Sequence, residues 1–142
     1  MIFEHLFTVV QPCWFSVNGS SGFISSGGVK YYYANYYYRC TWIITVPSNH
    51  TVKMKFTVFR LPNDPTWGQA EMQVHDGKGS DTVLGVFTGA RQPFIIQTSG
   101  RTMTLTVQKK YSVTPCNFKG TYISSRKGKR KKLNINKRMK TA

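Results

Sequence analysis

Short runs of alternating apolar and polar residues recur along this sequence and constrain its fold more than any other feature. Residues 52–59 read VKMKFTVF and residues 102–108 read TMTLTVQ, so that every second side chain is apolar. An alternation of period two is typical of a β-strand with one face buried and the other exposed. The residues that the alternation predicts to point inward are Val52, Met54, Phe56, Val58, Met72, Val74, Met103, Leu105 and Val107.

Further short apolar runs, bounded by turn residues, complete a pattern of strands. The turn dipeptides Asp76–Gly77 and Ser99–Gly100 end two of these runs, and a Gly/Ser-rich stretch at 18–28 surrounds a short strand near Phe23 and Ile24. The remaining runs are CTWIITV at 40–46, VLGVFTG at 83–89, PFIIQTSG at 93–100 and NFKGTYIS at 117–124. Seven or eight strands at spacings of roughly 8–12 residues, without a helical pattern, predict an all-β fold, an antiparallel β-sandwich or jelly roll.

Positive charge is concentrated at the C-terminal end. The chain has 20 Lys and Arg against 5 Asp and Glu, and nine of the basic residues lie in residues 126–142, which contain no acid. A block of like charges repels itself and has too little apolar surface to form a core, so residues 125–142 are predicted to be a disordered basic tail. The run of this tail that would bind a polyanion comprises Arg126, Lys127, Lys129, Arg130, Lys131 and Lys132.

The sequence offers little support for catalysis or for a cofactor. It contains no GxSxG, HExxH or P-loop motif, and no pair of carboxylates at a catalytic spacing. His5, His50 and His75 match no metal-ligand spacing. His75 precedes Asp76 directly, and adjacent residues of a strand point to opposite faces. We therefore expect no enzymatic activity, no cofactor and no small-molecule substrate.

Three cysteines, Cys13, Cys40 and Cys116, cannot all pair within one chain.

Residues 1–12 include the apolar run IFEHLFTVV, which lacks the basic start and the small residues of a signal peptide. We interpret this segment as an N-terminal extension or a truncated leader. No stretch approaches the roughly 20 apolar residues that a membrane-spanning helix needs, so any membrane attachment would come through a longer parent receptor chain.

The order of motifs in residues 13–124 resembles the CUB domain family. It begins with Cys13, a Gly22–Phe23–Ile24 motif and a tyrosine-rich segment at 31–38, and continues with Cys40–Thr41–Trp42–Ile43. The later motifs are Pro47 leading to Val52, the set Phe56, Phe59 and Leu61, the V-x-D-G sequence of residues 74–77, Leu84–Gly85, and Phe118 with Tyr122. The resemblance implies a CUB-type sandwich over residues 13–124 that acts as a binding or adhesion module.

Two features follow from comparing the chain with the family pattern. The resemblance implies a disulfide between Cys13 and Cys40, with Cys116 either a free thiol or paired with another chain. The second disulfide of many members is absent, because its positions align near Trp67 and at Thr88. The carboxylates that bind calcium in many members align with Pro62, Ala70 and Lys109–Lys110. Calcium needs about six to eight oxygen ligands, several of them anionic, so we expect no calcium at the usual site, with Asp64 and Glu71 as weak substitutes at most.

The expected function is extracellular recognition of a protein or glycan ligand. Asn18 and Asn49 begin two N-glycosylation sequons in predicted turns. In a secreted protein the basic tail would meet a heparin-like polyanion. The alternative hypothesis is a basic polyanion- or nucleic-acid-binding protein that acts through its Lys/Arg-rich tail.

Overall fold

A computed structural model describes residues 13–28, 38–66, 68–79, 82–110 and 115–128 of the chain. Eleven strands and one short 3₁₀ turn, Ser26–Gly28, make up its regular structure. The strands are β1 (Cys13–Asn18), β2 (Ser21–Ser25), β3 (Tyr38–Thr45), β4 (His50–Arg60), β5 (Asn63–Asp64), β6 (Gly68–Asp76), β7 (Thr82–Phe87), β8 (Ala90–Arg91), β9 (Phe94–Gln97), β10 (Thr102–Lys110) and β11 (Asn117–Arg126).

The strands form two sheets, which confirms the predicted all-β fold. One sheet has six strands in the order β1-β3-β10-β6-β5, with β7 also paired to β6. The other has five strands in the order β2-β11-β4-β8, with β9 also paired to β4. The pairings are antiparallel, except that β1 runs parallel to β3. This pair places Cys13 beside Cys40.

The core lies between the sheets and contains almost every residue that the alternation predicts to point inward. Met72, Val74, Met103, Leu105 and Val107 line the six-stranded side and are fully buried. The five-stranded side is aromatic, because its buried large side chains include Phe56, Phe59, Phe118 and Tyr122. Edge-to-face contacts such as that between the Trp42 and Phe118 rings, whose centroids are 5.2 Å apart, join the two sides.

The prediction that Val58 points inward is wrong. Val58 is 37% exposed, whereas its neighbour Phe59 is only 3% exposed. The register of β4 against β11 shifts there, because Lys119 pairs with Val58 but the next residue of β11 pairs with Phe56. One extra residue, Thr57, therefore bulges from β4 and reverses the alternation beyond it.

Two of the family motifs contact each other across β2 and β11. Gly22 of the first motif pairs directly with Tyr122 of the last. A Cβ atom on Gly22 would lie 2.8 Å from a ring carbon of Tyr122, so glycine is needed at this position for the ring to pack against the strand. The Tyr122 hydroxyl is buried and has no hydrogen-bond partner among the described residues, and burial raises the pKa of this phenol.

Candidate binding surfaces

A disulfide joins Cys13 and Cys40, as the resemblance implies, with their Cα atoms 4.4 Å apart. The bond links the edge strand β1 to β3 at the start of their parallel pairing. Cross-linking residues that are 27 positions apart stabilises the fold by about 3–4 kcal/mol in the chain-entropy account. Cys116 is partly buried and forms no disulfide within the described residues.

The positions that align with the family's calcium ligands lie together at one corner of the six-stranded sheet. The Ala70 amide donates a hydrogen bond of 2.9 Å to the Pro62 carbonyl, and Ala70 pairs across the strands with Lys109. The Thr88 hydroxyl donates a hydrogen bond of 2.5 Å to the Ala70 carbonyl, so a residue aligned with the second family disulfide reaches the same corner. Trp67 lies outside the described residues. Sequence alignment alone thus identified residues that meet in space, although none of them is a carboxylate.

The Lys109 side chain at this corner is fully buried, which is unusual for a lysine. Burial lowers the pKa of the Lys109 ammonium, since removal from water disfavours the charged form. The charge of a Cys116 thiolate acts in the opposite direction and raises that pKa. A cation therefore lies close to the position where calcium ligands would need negative charge.

The nearby carboxylates Asp64 and Glu71 make other contacts. An Asp64 carboxylate oxygen accepts a hydrogen bond of 2.8 Å from the Thr66 amide. The Glu71 carboxylate accepts one of 3.1 Å from the Gln73 side chain, and Glu71 follows Ala70 on β6, so the two side chains leave the strand on opposite faces. Within the described ranges, no group of three or more His, Cys, Asp or Glu side chains is positioned to hold a metal ion.

A surface cavity of about 300 Å³ opens beside the same corner. Its lining is mostly uncharged and polar, with one carboxylate; the residues are Asn63, Gln69, Ala70, Glu71, Thr88 and Gln108. Amide and hydroxyl groups of this kind bind by hydrogen bonding and supply little charge for a divalent cation.

His75 and Asp76 do not act as a pair. His75 is 5% exposed, and its Nδ1 atom has no hydrogen-bond partner among the residues that the structure describes. The Asp76 carboxylate instead accepts hydrogen bonds from the amide and the hydroxyl of Ser99, at 3.0 and 2.6 Å. These bonds connect the end of β6 to the turn before β10.

The two sheets differ sharply in charge. The strands of the five-stranded sheet contain six basic residues and no Asp or Glu, whereas the six-stranded sheet has three of each sign. The six are Lys53, Lys55, Arg60, Arg91, Lys119 and Arg126. Lys55 and Lys119 are exposed on the face that points away from the core, and Lys53 is partly exposed there.

Apolar side chains interrupt the lysines on that outer face. Phe23 is 75% exposed, Ile95 55% and Ile123 53%. The register places Phe23 beside Thr121, Thr121 beside Lys55 and Lys55 beside Ile95, in one row across four strands. We call the outer surface formed by Lys53, Lys55, Lys119, Phe23, Ile95 and Ile123 the basic face.

A second apolar feature lies at the edge where β7 of one sheet approaches β9 of the other. The Phe87 and Phe94 rings stack there with centroids 4.8 Å apart, and the Arg91 guanidinium lies 5.1 Å from the centre of the Phe87 ring. An open groove of about 710 Å³ follows this edge. Since these rings continue into Phe56 and Phe59, the groove is the exposed margin of the core.

The predicted glycosylation and polyanion sites lie at the surface where the structure describes them. Asn18 is exposed at the end of β1, and Asn49 is exposed in the turn before β4 with a φ of 63°. Arg126 and Lys127 are exposed, whereas Lys129, Arg130, Lys131 and Lys132 lie outside the described residues. Glycosylation and polyanion binding at these positions stay predictions.

The comparisons with known proteins agree with the fold and with this arrangement of motifs. The architecture defines a class of two-sheet β-sandwich in which an N-terminal disulfide joins the edge strand β1 to its parallel neighbour β3. A family model for the CUB domain matches residues 13–122, and the chain belongs to this family. The family consists of extracellular protein-interaction modules, and among the described residues no helix is long and apolar enough to cross a membrane.

Its relatives are long proteins of which it matches one part. The chain is 31% identical over 113 residues to procollagen C-endopeptidase enhancer 2 of Mus musculus, covering 80% of this chain and 27% of the relative. It is 32% identical over 99 residues to cubilin of Sus scrofa, covering 68% of this chain and 3% of cubilin. The chain thus spans well under a third of the length of either relative.

Solved structures confirm the fold. The CUB1-EGF-CUB2 region of rat MASP-1 aligns with a TM-score of 0.64 at 21% identity, covering 83% of this chain and 45% of that one. The MASP-1 CUB2 domain bound to Ca²⁺ aligns with a TM-score of 0.59 at 18% identity, covering 76% of this chain and 96% of that one.

Proposed function

We propose that this chain is an extracellular CUB recognition module that binds a protein ligand without calcium at the usual family site. The observation that carries the proposal is the corner formed by Pro62, Ala70 and the buried Lys109. A divalent cation there would be repelled by the ammonium group and would find no cluster of carboxylates in the described part of the chain. The ligand contacts then rely on side chains of the domain itself.

The contrast with a related structure supports this proposal. The MASP-1 CUB2 domain is bound to Ca²⁺. The present chain shares its fold but has a pyrrolidine ring, a methyl group and an ammonium at the positions that the family resemblance assigns to calcium ligands. A fold can keep its shape while the chemistry of one site changes, because the site is formed by a few side chains on a common framework.

A non-enzymatic role is part of the same proposal. The relatives named as procollagen C-endopeptidase enhancers are described as enhancers of an endopeptidase. In the present chain, the histidine and aspartate that are adjacent in sequence have separate structural environments. We propose that any contribution to a reaction is made by binding another protein.

Polyanion binding by the basic tail is a second candidate function. Exposure of Arg126 and Lys127 at the end of β11 supports it, because the tail leaves the domain from the sheet that contains no acid. A sulfated, heparin-like glycan is the extracellular polyanion that this charge would attract. Affinity that falls steeply with salt would be its signature.

The test is a selection of displayed secreted proteins and ectodomains on the immobilised full chain, carried out in calcium and in EDTA. We expect saturable partners whose dissociation constants agree within about twofold between the two buffers, since no ligand contact depends on the ion. Partners that bind only in calcium would contradict the proposal. Heparin added as a competitor separates partners that contact the domain from those that contact the tail.

A further inference from the structure

The charge of the basic face is not neutralised by any carboxylate in the described strands of its own sheet. Lys53, Lys55 and Lys119 occupy adjacent strands, and the described strands of that sheet contain no carboxylate. Lys53 and Lys55 are two residues apart on β4, which is about 7 Å. Charges this close reinforce one another within the screening length of physiological salt, about 8 Å, and create a local positive potential that attracts anionic groups.

The apolar residues of the basic face show that its ligand is more than an anion. Phe23 is 75% exposed, and Ile95 and Ile123 are each about half exposed. Isolated exposed apolar residues are normal, but a group of exposed apolar residues with polar or charged neighbours marks a candidate interaction surface. A sulfated polysaccharide would satisfy the ammonium groups and place polar sugar against these apolar side chains, whereas a protein segment can satisfy both.

We propose that the basic face binds an acidic protein segment that presents apolar side chains on both sides of a carboxylate. This inference rests on the proposed role of the chain in protein recognition and specifies the surface and the chemistry of the partner. Charge complementarity selects the acid, and the row from Phe23 through Lys55 to Ile95 selects the flanking apolar groups.

The row also predicts the spacing of the ligand's side chains. Phe23 and Ile95 are three strand spacings apart, which is about 14 Å. Residues i, i+2 and i+4 of an extended segment point to the same side and cover about 14 Å. A segment that crosses the strands therefore fits as apolar at i, acidic at i+2 and apolar at i+4, with the carboxylate within reach of the long Lys55 side chain.

The probe for this proposal is a synthetic peptide containing Leu-Ser-Glu-Ser-Leu between Gly-Ser flanks, titrated into the isotope-labelled full chain. We expect saturable amide shifts on β2, β4, β9 and β11, centred on Phe23, Thr121 and Lys55. A control peptide with both leucines replaced by serine is expected to bind about tenfold more weakly, because it loses two apolar contacts. A heparin-derived oligosaccharide is expected to shift signals from Arg126 onward.

Matched variants separate the contributions of charge and apolar contact. Lys55→Gln is expected to weaken peptide binding about fivefold to tenfold and to reduce its dependence on salt. Phe23→Ser is expected to weaken binding by a similar factor without changing the salt dependence. Lys78→Gln removes an equally exposed lysine from the turn after β6 and is expected to change nothing. All three substitutions are at exposed positions, so the folded spectrum is retained.

Four outcomes would overturn the inference. The first is the absence of saturable shifts on the basic face, and the second is equal binding of the serine control peptide. The third is heparin oligosaccharide shifting the basic face and binding it more tightly than the peptide, which would make this a glycan surface. If partners selected in EDTA bind Lys55→Gln and Phe23→Ser as well as they bind the parent chain, the inference fails while calcium-independent recognition stands.

Discussion

The two sheets of this domain are both built mainly from antiparallel strands, but their surfaces differ. The six-stranded sheet has an aliphatic and methionine-rich inner face, balanced charge, and an outer face on which Thr104, Thr106 and His75 are almost buried. The five-stranded sheet has an aromatic inner face and an exposed outer face with lysines and apolar side chains. The six-stranded sheet contains the disulfide and the corner formed by Pro62, Ala70 and Lys109, while the five-stranded sheet contains the basic face.

This difference fits the proposal that the outer face of the five-stranded sheet binds a partner, while the inner faces of both sheets and the disulfide stabilise the sandwich. Exposed lysines and apolar residues contribute little to folding and are available to a partner. The corner that contains Lys109 is held together by the hydrogen bonds of Ala70 and by the burial of the Lys109 side chain, so we expect it to contribute to stability. The following predictions test how the inner faces, the disulfide and the buried titratable groups contribute to stability.

The largest effect is expected from the aromatic inner face of the five-stranded sheet. Phe56 is fully buried, and its ring stacks on Phe94 with centroids 5.1 Å apart. Phe56→Ala should lower the free energy of unfolding by about 3–5 kcal/mol, because it leaves a cavity among packed rings. Val58→Ala, on the same strand but exposed by the bulge, should change it by less than about 0.5 kcal/mol. Urea denaturation measures both, and similar losses would show that the bulge is misplaced.

A slightly smaller loss is expected from the covalent link in the six-stranded sheet. The double variant Cys13→Ala with Cys40→Ala removes the bridge without leaving an unpaired thiol at either position. It should lower the free energy of unfolding by about 3–4 kcal/mol. Urea denaturation of the variant and of the oxidised parent gives the difference. The reduced parent serves as a control and should match the variant. A stability independent of reduction would contradict the importance of this edge.

An intermediate effect is expected where β11 passes the aromatic core. A Cβ atom on Gly120 would lie 2.8 Å from the Met54 sulfur and 3.2 Å from the Phe56 ring. Gly120→Ala should therefore cost about 1–3 kcal/mol through overpacking. Gly100→Ala is the matched control, since a Cβ atom there meets nothing within 4 Å. Thermal unfolding of both variants distinguishes crowding from a general intolerance of alanine.

The smallest effect concerns pH and two buried titratable groups, Lys109 and Tyr122. Burial lowers the pKa of Lys109 below its ordinary value of 10.5, so the native state releases this proton before the unfolded state does. Stability should then rise with pH in the interval just below 10.5, because the unfolded chain binds more protons there. Burial raises the pKa of Tyr122 above 10.0, so its contribution is retained below that value and lost as pH rises further.

Two variants separate these opposing contributions in unfolding curves measured from neutral to alkaline pH. Lys109→Met should remove the rise, and Tyr122→Phe should remove the fall at the alkaline end. If Lys109→Met leaves the pH profile unchanged, Lys109 is not titrating in a buried environment.

Much of the fold was predictable from sequence because the alternation of period two records directly which side chains are buried. Val58 is the exception. The segment from Phe56 to Phe59 has an aromatic residue at each end, and the bulge at Thr57 that buries both of them depends on the partner strand β11. The corner formed by Pro62, Ala70 and Lys109 could be located because the order of the family motifs fixed the alignment of these three residues.

The basic face could not be predicted, because its residues are distant in sequence. Phe23, Lys55, Ile95 and Thr121 become neighbours only through the pairing of β2, β11, β4 and β9. Each of them alone is an ordinary outward-facing strand residue. The sequence signal that was available, the lack of acids in these strands, becomes visible only when the strands are assigned to one sheet.

The most direct test of the central claim is a calcium titration of the isotope-labelled full chain followed amide by amide. We predict no saturable shift at Asn63, Ala70, Glu71 or Lys109 up to millimolar calcium, and no change in the unfolding temperature. Saturable shifts converging on that corner, with a matching rise in unfolding temperature, would contradict the account.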